Sequence, residues 1–152
     1  MLYGYDMGKA VQMMREELTH HGVRELRTPA EVDQVLSPRQ GTVLLVVNSV
    51  CGCAAGAARP GVVQALQAAT AQPDQVTTVF AGQDRDATER ARTYLTGFAP
   101  SSPSVWLLKD GQVVFKLERY QIEQRSAQAI ASDIVKGLNT FCTPAQQAVS
   151  GD

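Results

Sequence analysis

The chain has 152 residues, 44% of them hydrophobic and 19% charged, with a formal net charge of −1. That length fits one domain, able to bury roughly two-thirds of its unfolded surface without a disulfide staple. The near-neutral balance argues against a nucleic-acid-binding face, and 3 cysteines are too few and too odd in number for a secreted disulfide framework.

The longest apolar run, Val43 to Val47, has the length of a strand and falls far short of the roughly eighteen residues of a membrane span. The N-terminus, Met1-Leu2-Tyr3-Gly4-Tyr5-Asp6, lacks the basic head and apolar body of a signal peptide, which points to the cytoplasm. In a reducing compartment a close pair of cysteines is more often catalytic or metal-binding than structural.

Met7, Ala10, Val11, Met14 and Leu18 recur every three or four residues and predict an amphipathic helix from Met7 to His20, ended near Gly22, with Arg15, Glu16 and Glu17 on the surface. Such a helix permits a homodimer without requiring one. A short strand is expected over Val23 to Leu26. Thr28-Pro29-Ala30-Glu31 opens a second helix, with Thr28 as N-cap and Glu31 placed for a capping box, and Pro38 ends it. Thr42 to Asn48 is β-branched and continuously apolar, as a central strand covered on both faces would be. Ala54 to Thr70 reads as a helix kinked at Pro60-Gly61. Val76 to Phe80 is the next strand, and Asp86 to Tyr94 the next helix, with Asp84 or Asp86 near its cap. Asp110-Gly111 between Val105–Leu108 and Val113–Leu117 predicts a hairpin. Ser126 caps a last helix carrying Ile130, Ile134, Val135 and Leu138 on one side, and the residues after Cys142 form a frayed tail.

The order is β-α-β-α-β-α-β-β-α. It resembles that of the thioredoxin-like α/β fold, a three-layer arrangement with a central mixed sheet flanked by helices. The whole chain, 1–152, then forms one such domain, with residues 1–22 as a helical extension and 143–152 as a flexible tail.

Cys51-Gly52-Cys53 lies between the central strand and the Ala/Gly-rich helix start. A thiol there faces unpaired backbone N–H groups and the positive end of the helix dipole, both of which favour the reactive thiolate. A mixed disulfide formed on one sulfur can be resolved by the other. Gly52 gives the backbone between them freedom. Two other readings are buried structural cysteines and metal ligation, but zinc usually takes four ligands and the chain has neither a second cysteine pair nor a His-x₃₋₅-His pair. A disulfide across one intervening residue closes a tighter ring than Cys-x-x-Cys, which should raise its reduction potential and make the dithiol a poor general reductant. Cys142 reads as a small core residue, His20-His21 as a helix end and Trp106 as core.

The run Asn48-Ser49-Val50-Cys51-Gly52-Cys53-Ala54-Ala55-Gly56-Ala57-Ala58-Arg59-Pro60 is similar to the signature of the bacilliredoxins, a bacterial family of thioredoxin-like proteins with a Cys-Gly-Cys site. The resemblance extends to Met14–Thr19, Ser101-Ser102-Pro103-Ser104, Lys109-Asp110-Gly111, and Arg119 with Gln121-Ile122-Glu123, and so spans nearly the whole chain. Tyr120 and Gln124 depart from it, Gln124 standing where glycine is expected.

The resemblance implies removal of bacillithiol, a low-molecular-weight thiol, from mixed disulfides on cytoplasmic proteins, with Cys51 attacking. The first cysteine, at the strand end, is open to a substrate sulfur, while Cys53, deeper in the first helical turn, suits the resolving role. No bound cofactor is implied. Bacillithiol is a co-substrate, and S-bacillithiolated proteins and a flavoprotein bacillithiol-disulfide reductase are the partners. Thioredoxin-like proteins also place a cis-proline before the strand that Val105 opens here. At Pro103 it would turn the Ser102 backbone toward the cysteines for a substrate strand, although only about one X–Pro bond in twenty is cis. Arg59 either approaches the thiolate and a carboxylate of bacillithiol or is a solvated helix arginine. Asn48 and Ser49 either line the pocket or end the strand. Beside de-bacillithiolation stand two further functions: weak protein disulfide isomerase or oxidase activity, and metal or iron–sulfur delivery through Cys51 and Cys53 of two chains.

Overall fold

The computed structural model describes residues 6–144. Most of the N-terminal segment weighed above as a leader, and residues 145–152 of the expected tail, lie outside the described residues. Within that expected tail, Pro144 forms an isolated antiparallel bridge with Ala71.

A five-stranded mixed sheet has the order β1-β3-β2-β4-β5, formed by β1 (Arg24–Glu25), β2 (Thr42–Asn48), β3 (Gln75–Phe80), β4 (Ser104–Lys109) and β5 (Gln112–Leu117). β1, β3 and β2 run parallel, while β4 is antiparallel to β2 and to β5. Every residue of β2 is buried, as its unbroken apolar sequence requires of a strand covered on both faces. Alternation then divides it. Leu44 and Val46 join Val62, Ala65, Ile130, Ile134 and Leu138 on one face, from helices α3 (Arg59–Ala68) and α6 (Ala127–Phe141). Val43, Leu45 and Val47 join Val32, Val35, Ala87 and Ala91 on the other, from α2 (Pro29–Leu36) and α4 (Arg85–Arg92). Cys142 and Trp106 are both buried.

Local chemistry sets the element ends. Thr28 and Ser126 accept from the backbone N–H of Glu31 and Ala129, each three residues on. Glu31 turns back one residue beyond the expected box, accepting the N–H of Arg27 at 2.7 Å. Asp110 and Gly111 take φ of 50° and 84° in the hairpin turn, a left-handed pair that Asp-Gly accommodates readily.

Helix α1 (Met7–Thr19) places Leu18 in the core and, contrary to the surface position expected for it, buries Arg15. Arg15 donates to Glu25 at 2.6 Å and to both oxygens of Asp84 at 2.6 and 3.2 Å. Asp84 occupies the N-cap position of α4 without a side-chain cap bond, because its carboxylate is held by that guanidinium. A four-residue helix, α5 (Arg119–Ile122), was not expected; it turns the chain from β5 toward α6.

The expected kink at Pro60-Gly61 lies upstream instead. Ala54–Ala58 form a π-turn, in which the Arg59 N–H donates to the Ala54 carbonyl, and α3 follows it. Pro60 has no N–H and its ring crowds the carbonyl four residues back, so the widening falls in the turn before it. Gly61 is a packing glycine: a Cβ there would stand 2.8 Å from Ile130 Cγ2, so its smallness lets α3 approach α6.

Candidate active site

Strand β2 delivers its last residue, Asn48, buried, and the chain turns through Ser49 and half-exposed Val50 into Cys51. The Cys51 carbonyl accepts the N–H groups of Ala54 and Ala55 at 3.1 and 3.2 Å, which puts Gly52 and Cys53 in the first turn of the helix. Gly52 is exposed. The sulfurs of Cys51 and Cys53 lie 2.8 Å apart, as a hydrogen-bonded pair of free thiols.

Both cysteines are half-buried, so the greater depth expected of Cys53 is not seen, although Cys53 packs against the core. What separates them is hydrogen bonding. Burial alone would push the Cys51 thiol up, but the Cys53 thiol, the Ser49 hydroxyl and the backbone N–H groups of Ala54 and Cys53 outweigh it and hold Cys51 below the ordinary thiol range. Cys53 is pushed up by burial, by its hydrogen bond to Cys51 and by the negative charge of Cys51, with the Arg119 guanidinium as partial offset. The shifts run in opposite directions, so the pair loses its first proton more readily from Cys51 than from Cys53.

The loop before Cys51 is tied down. Ser49 Oγ accepts the Cys51 N–H at 3.2 Å, and Asn48 Oδ1 accepts the Ser49 N–H at 2.8 Å. Arg59 completes this arrangement from below. Its side chain is only 1% exposed, and it donates from Nη1 to Asn48 Oδ1 at 3.0 Å and to the Ser49 carbonyl at 2.7 Å, and from Nε to Glu17 at 2.8 Å. It is therefore neither a solvated helix arginine nor a group presented to a ligand carboxylate. The π-turn seats it there. Asn48 both ends the strand and braces the loop.

The antiparallel register sets Ser104 opposite Val47, which brings Ser102 and Pro103 beside the end of β2. The Ser102–Pro103 peptide bond is cis, and Pro103 is buried. The Ser102 carbonyl accepts from Arg119 Nη1 at 3.1 Å, and Ser101 Oγ accepts the Arg119 N–H at 2.7 Å. Arg119 is half-exposed, paired with Glu123 at 2.9 Å, and its guanidinium interacts with the charge of both cysteines. Arg119 lies among the residues that carry the resemblance, but nothing in the sequence assigns it a role. It lies 66 positions after Cys53, on a helix too short for periodicity to reveal. Among the described residues no group of three or more His, Cys, Asp or Glu is arranged to hold a metal ion, and no helix is long and apolar enough to cross a membrane.

Solved thioredoxins share this architecture. The oxidised thioredoxin of Plasmodium falciparum superimposes with a TM-score of 0.54 at 16% identity, covering 80% of this chain and 100% of that one. Thioredoxin O2 of Arabidopsis thaliana gives 0.54 at 16% identity, over 80% and 98%. In sequence, residues 6–142 match the family model described as disulphide isomerase. A bacilliredoxin of Salinibacter ruber is 54% identical over 133 residues, 87% of this chain and 78% of that one. Those of Halalkalibacterium halodurans and Staphylococcus aureus are 46% and 44% identical, covering 94% and 90% of this chain and 97% and 92% of theirs. With a thioredoxin fold, a paired dithiol at a strand-to-helix junction and this similarity along nearly its whole described length, the chain belongs to the bacilliredoxin family and is a thiol–disulfide oxidoreductase.

Proposed function

We propose that this oxidoreductase removes bacillithiol from mixed disulfides on cytoplasmic proteins. What supports the reading is the asymmetry of the dithiol: sulfurs 2.8 Å apart, with hydrogen bonds holding the Cys51 thiol down while burial and the neighbouring Cys51 charge push that of Cys53 up. The Cys51 thiolate attacks the bacillithiol sulfur of the mixed disulfide, forming a Cys51–bacillithiol disulfide and expelling the client as its thiolate, which takes a proton. Once Cys51 is in that disulfide its negative charge is gone, and with it one of the causes that holds the Cys53 proton. Arg119 then favours the Cys53 thiolate. Cys53 attacks Cys51, releases bacillithiol, and leaves a Cys51–Cys53 disulfide. Two molecules of bacillithiol reduce that disulfide by successive exchange and leave as bacillithiol disulfide, which a separate flavoprotein reductase returns to the thiol. The protein itself needs no bound cofactor for these steps. The exposed Val50 and Gly52, the Ser102–Pro103 backbone and Arg119 form the surface a mixed disulfide would meet.

The test is release of bacillithiol from a bacillithiolated model protein, followed by mass spectrometry for the wild type, Cys51→Ala and Cys53→Ala. An inactive Cys51→Ala and a bacillithiol adduct trapped on Cys51 in Cys53→Ala are the expected results. The description of the matching family model favours disulfide isomerase as a second reading. Wild-type protein that releases no bacillithiol yet rescues scrambled disulfides would establish that reading and overturn the first.

A further inference from the structure

We propose that Arg59 is a positioning residue for Cys51, and that Glu17 on the N-terminal helix is the clamp that sets it. The inference rests on Cys51 being the attacking thiol but not on the identity of the substrate.

The contacts form an unbroken chain. Glu17 Oε1 accepts from Arg59 Nε at 2.8 Å, Arg59 Nη1 reaches Asn48 Oδ1 and the Ser49 carbonyl, Asn48 Oδ1 also accepts the Ser49 N–H, and Ser49 Oγ accepts the Cys51 N–H. Every member between the two ends is buried: Arg59 1%, Asn48 2% and Ser49 9% exposed. Glu17 is 47% exposed and belongs to α1, which is not a neighbour of the cysteines in sequence. A guanidinium buried to this degree is costly unless its donors are used. Here Nη1 is spent on Asn48 and Ser49, just before the cysteines, and Nε on Glu17, so the position of the Ser49 hydroxyl, and with it the donor set around Cys51, depends on where Arg59 is held. The π-turn is the second observation. π-turns recur at functional sites, and this one widens the helix immediately before Arg59, between the residue and the cysteines it serves.

The role differs from a general electrostatic one. The charged and titratable groups that face Cys51 are Cys53 and Arg119, and those beside Arg59 are Glu17 and, across an open groove between α1 and α3, His21. A lysine at position 59 would keep the positive charge but replace a planar fork with a point donor on a shorter reach, and could not reproduce the same arrangement.

The experiment measures the rate of iodoacetamide alkylation at Cys51, located by peptide mass spectrometry, as a function of pH, with near-ultraviolet circular dichroism to show folding. Arg59→Met should lower the rate roughly threefold to tenfold below the thiol midpoint, where only the thiolate fraction reacts, and raise it modestly well above, where the more basic thiolate is the better nucleophile. Arg59→Lys should not restore the wild-type profile. An unshifted profile in folded Arg59→Met, or full restoration by lysine, would overturn the proposal. Because Arg59→Met removes a buried ion pair, a second measurement stands apart from its folding. Glu17→Gln and Ser49→Ala should each shift the profile in the same direction, and the double variant should shift it by less than their sum, since both act through one chain. Strict additivity, or no shift in Glu17→Gln, would overturn it equally. The readout uses no bacillithiol, so its outcome is independent of whether the proposed substrate is correct.

Discussion

Ser49→Ala removes one polar neighbour of Cys51, the proposed nucleophile, and the geometry fixes the shape of its effect. Ser49 is 9% exposed and accepts the Cys51 N–H, and its hydroxyl is among the groups that hold the Cys51 thiol down. A hydrogen bond to an ionised group contributes about 1.5–3 kcal/mol when buried. Cys51 is half-buried, so solvent screening reduces that to about 1 kcal/mol, or about fivefold in the equilibrium between thiolate and thiol. A more basic thiolate is also a better nucleophile, and a fivefold change in basicity returns roughly twofold in rate. The variant should therefore react about two- to threefold more slowly than wild type below the thiol midpoint and about twofold faster above it. The two pH profiles cross. The assay is stopped-flow reaction with an aromatic disulfide that releases a coloured thiolate, with the first phase reporting attack by Cys51. A variant slower by the same factor at every pH has lost loop geometry and not thiolate stabilisation, and superimposable profiles mean that the hydroxyl does not reach the sulfur. Either result refutes the account of Cys51 given above. The stability linkage has the corresponding sign. Because its folded pKa is lowered, Cys51 contributes stability that is present above the unfolded thiol value and lost as pH falls through the folded one; Cys53, raised, does the reverse.

Three further expectations follow from the fold. Gly61→Ala gains up to about 1 kcal/mol of helix propensity, but its Cβ meets Ile130 Cγ2 at 2.8 Å and the Ala127 carbonyl at 3.1 Å, and overpacking of about 1–3 kcal/mol wins. Urea unfolding should show a net loss, and a gain would mean that α6 yields freely. Gln124 takes a left-handed φ of 63°, so Gln124→Gly should stabilise by about 0.5–1 kcal/mol and raise Tm by roughly 2–4 °C in a calorimetric scan. A lower Tm would show that the glutamine side chain compensates its backbone. Cys142 is 7% exposed and burial pushes its thiol up, so it should be modified only in a slow third phase with the aromatic disulfide. The stability it contributes is present below the ordinary thiol value of about 8.5 and lost as pH rises through the raised folded one, so Cys142→Ala should flatten the alkaline end of the urea midpoint profile.

Much of this was legible where a local rule acts alone. β2 is an unbroken apolar run that only a doubly covered strand explains, Asp110-Gly111 specifies its turn, and Thr28 and Ser126 cap helices in the positions their spacing indicates. What failed to show was long-range pairing. Arg15 belongs on the surface by the usual rule for arginine, yet it lies four residues after Val11 and three before Leu18, on the buried stripe of α1. Its partners Glu25 and Asp84 are remote in sequence, and no single-chain pattern announces them. Arg59 repeats the case three residues before buried Val62. The π-turn escaped for a different reason: proline marks where a helix is disturbed, but the widening falls on the residues before it, where alanine and glycine give no signal.

The two arginines of the site divide its electrostatics in a way that composition could not foretell. Arg59, sealed beneath the loop and hydrogen-bonded to Glu17, Asn48 and Ser49, acts on Cys51 through what it holds in place. Arg119, half-exposed above the dithiol and tied to Ser102, acts through space, and screening by water makes that action small and sensitive to salt. The first kind of influence should survive high ionic strength and the second should not. In the proposed cycle, attack by Cys51 depends chiefly on hydrogen bonds fixed by the fold, while resolution by Cys53 begins with a proton that burial retains and a nearby guanidinium helps to release. Added salt should therefore slow the second coloured phase more than the first, and Arg119→Gln should abolish that difference. Equal salt dependence of the two phases in the wild type would mean that Arg119 serves only to hold the Ser102 backbone.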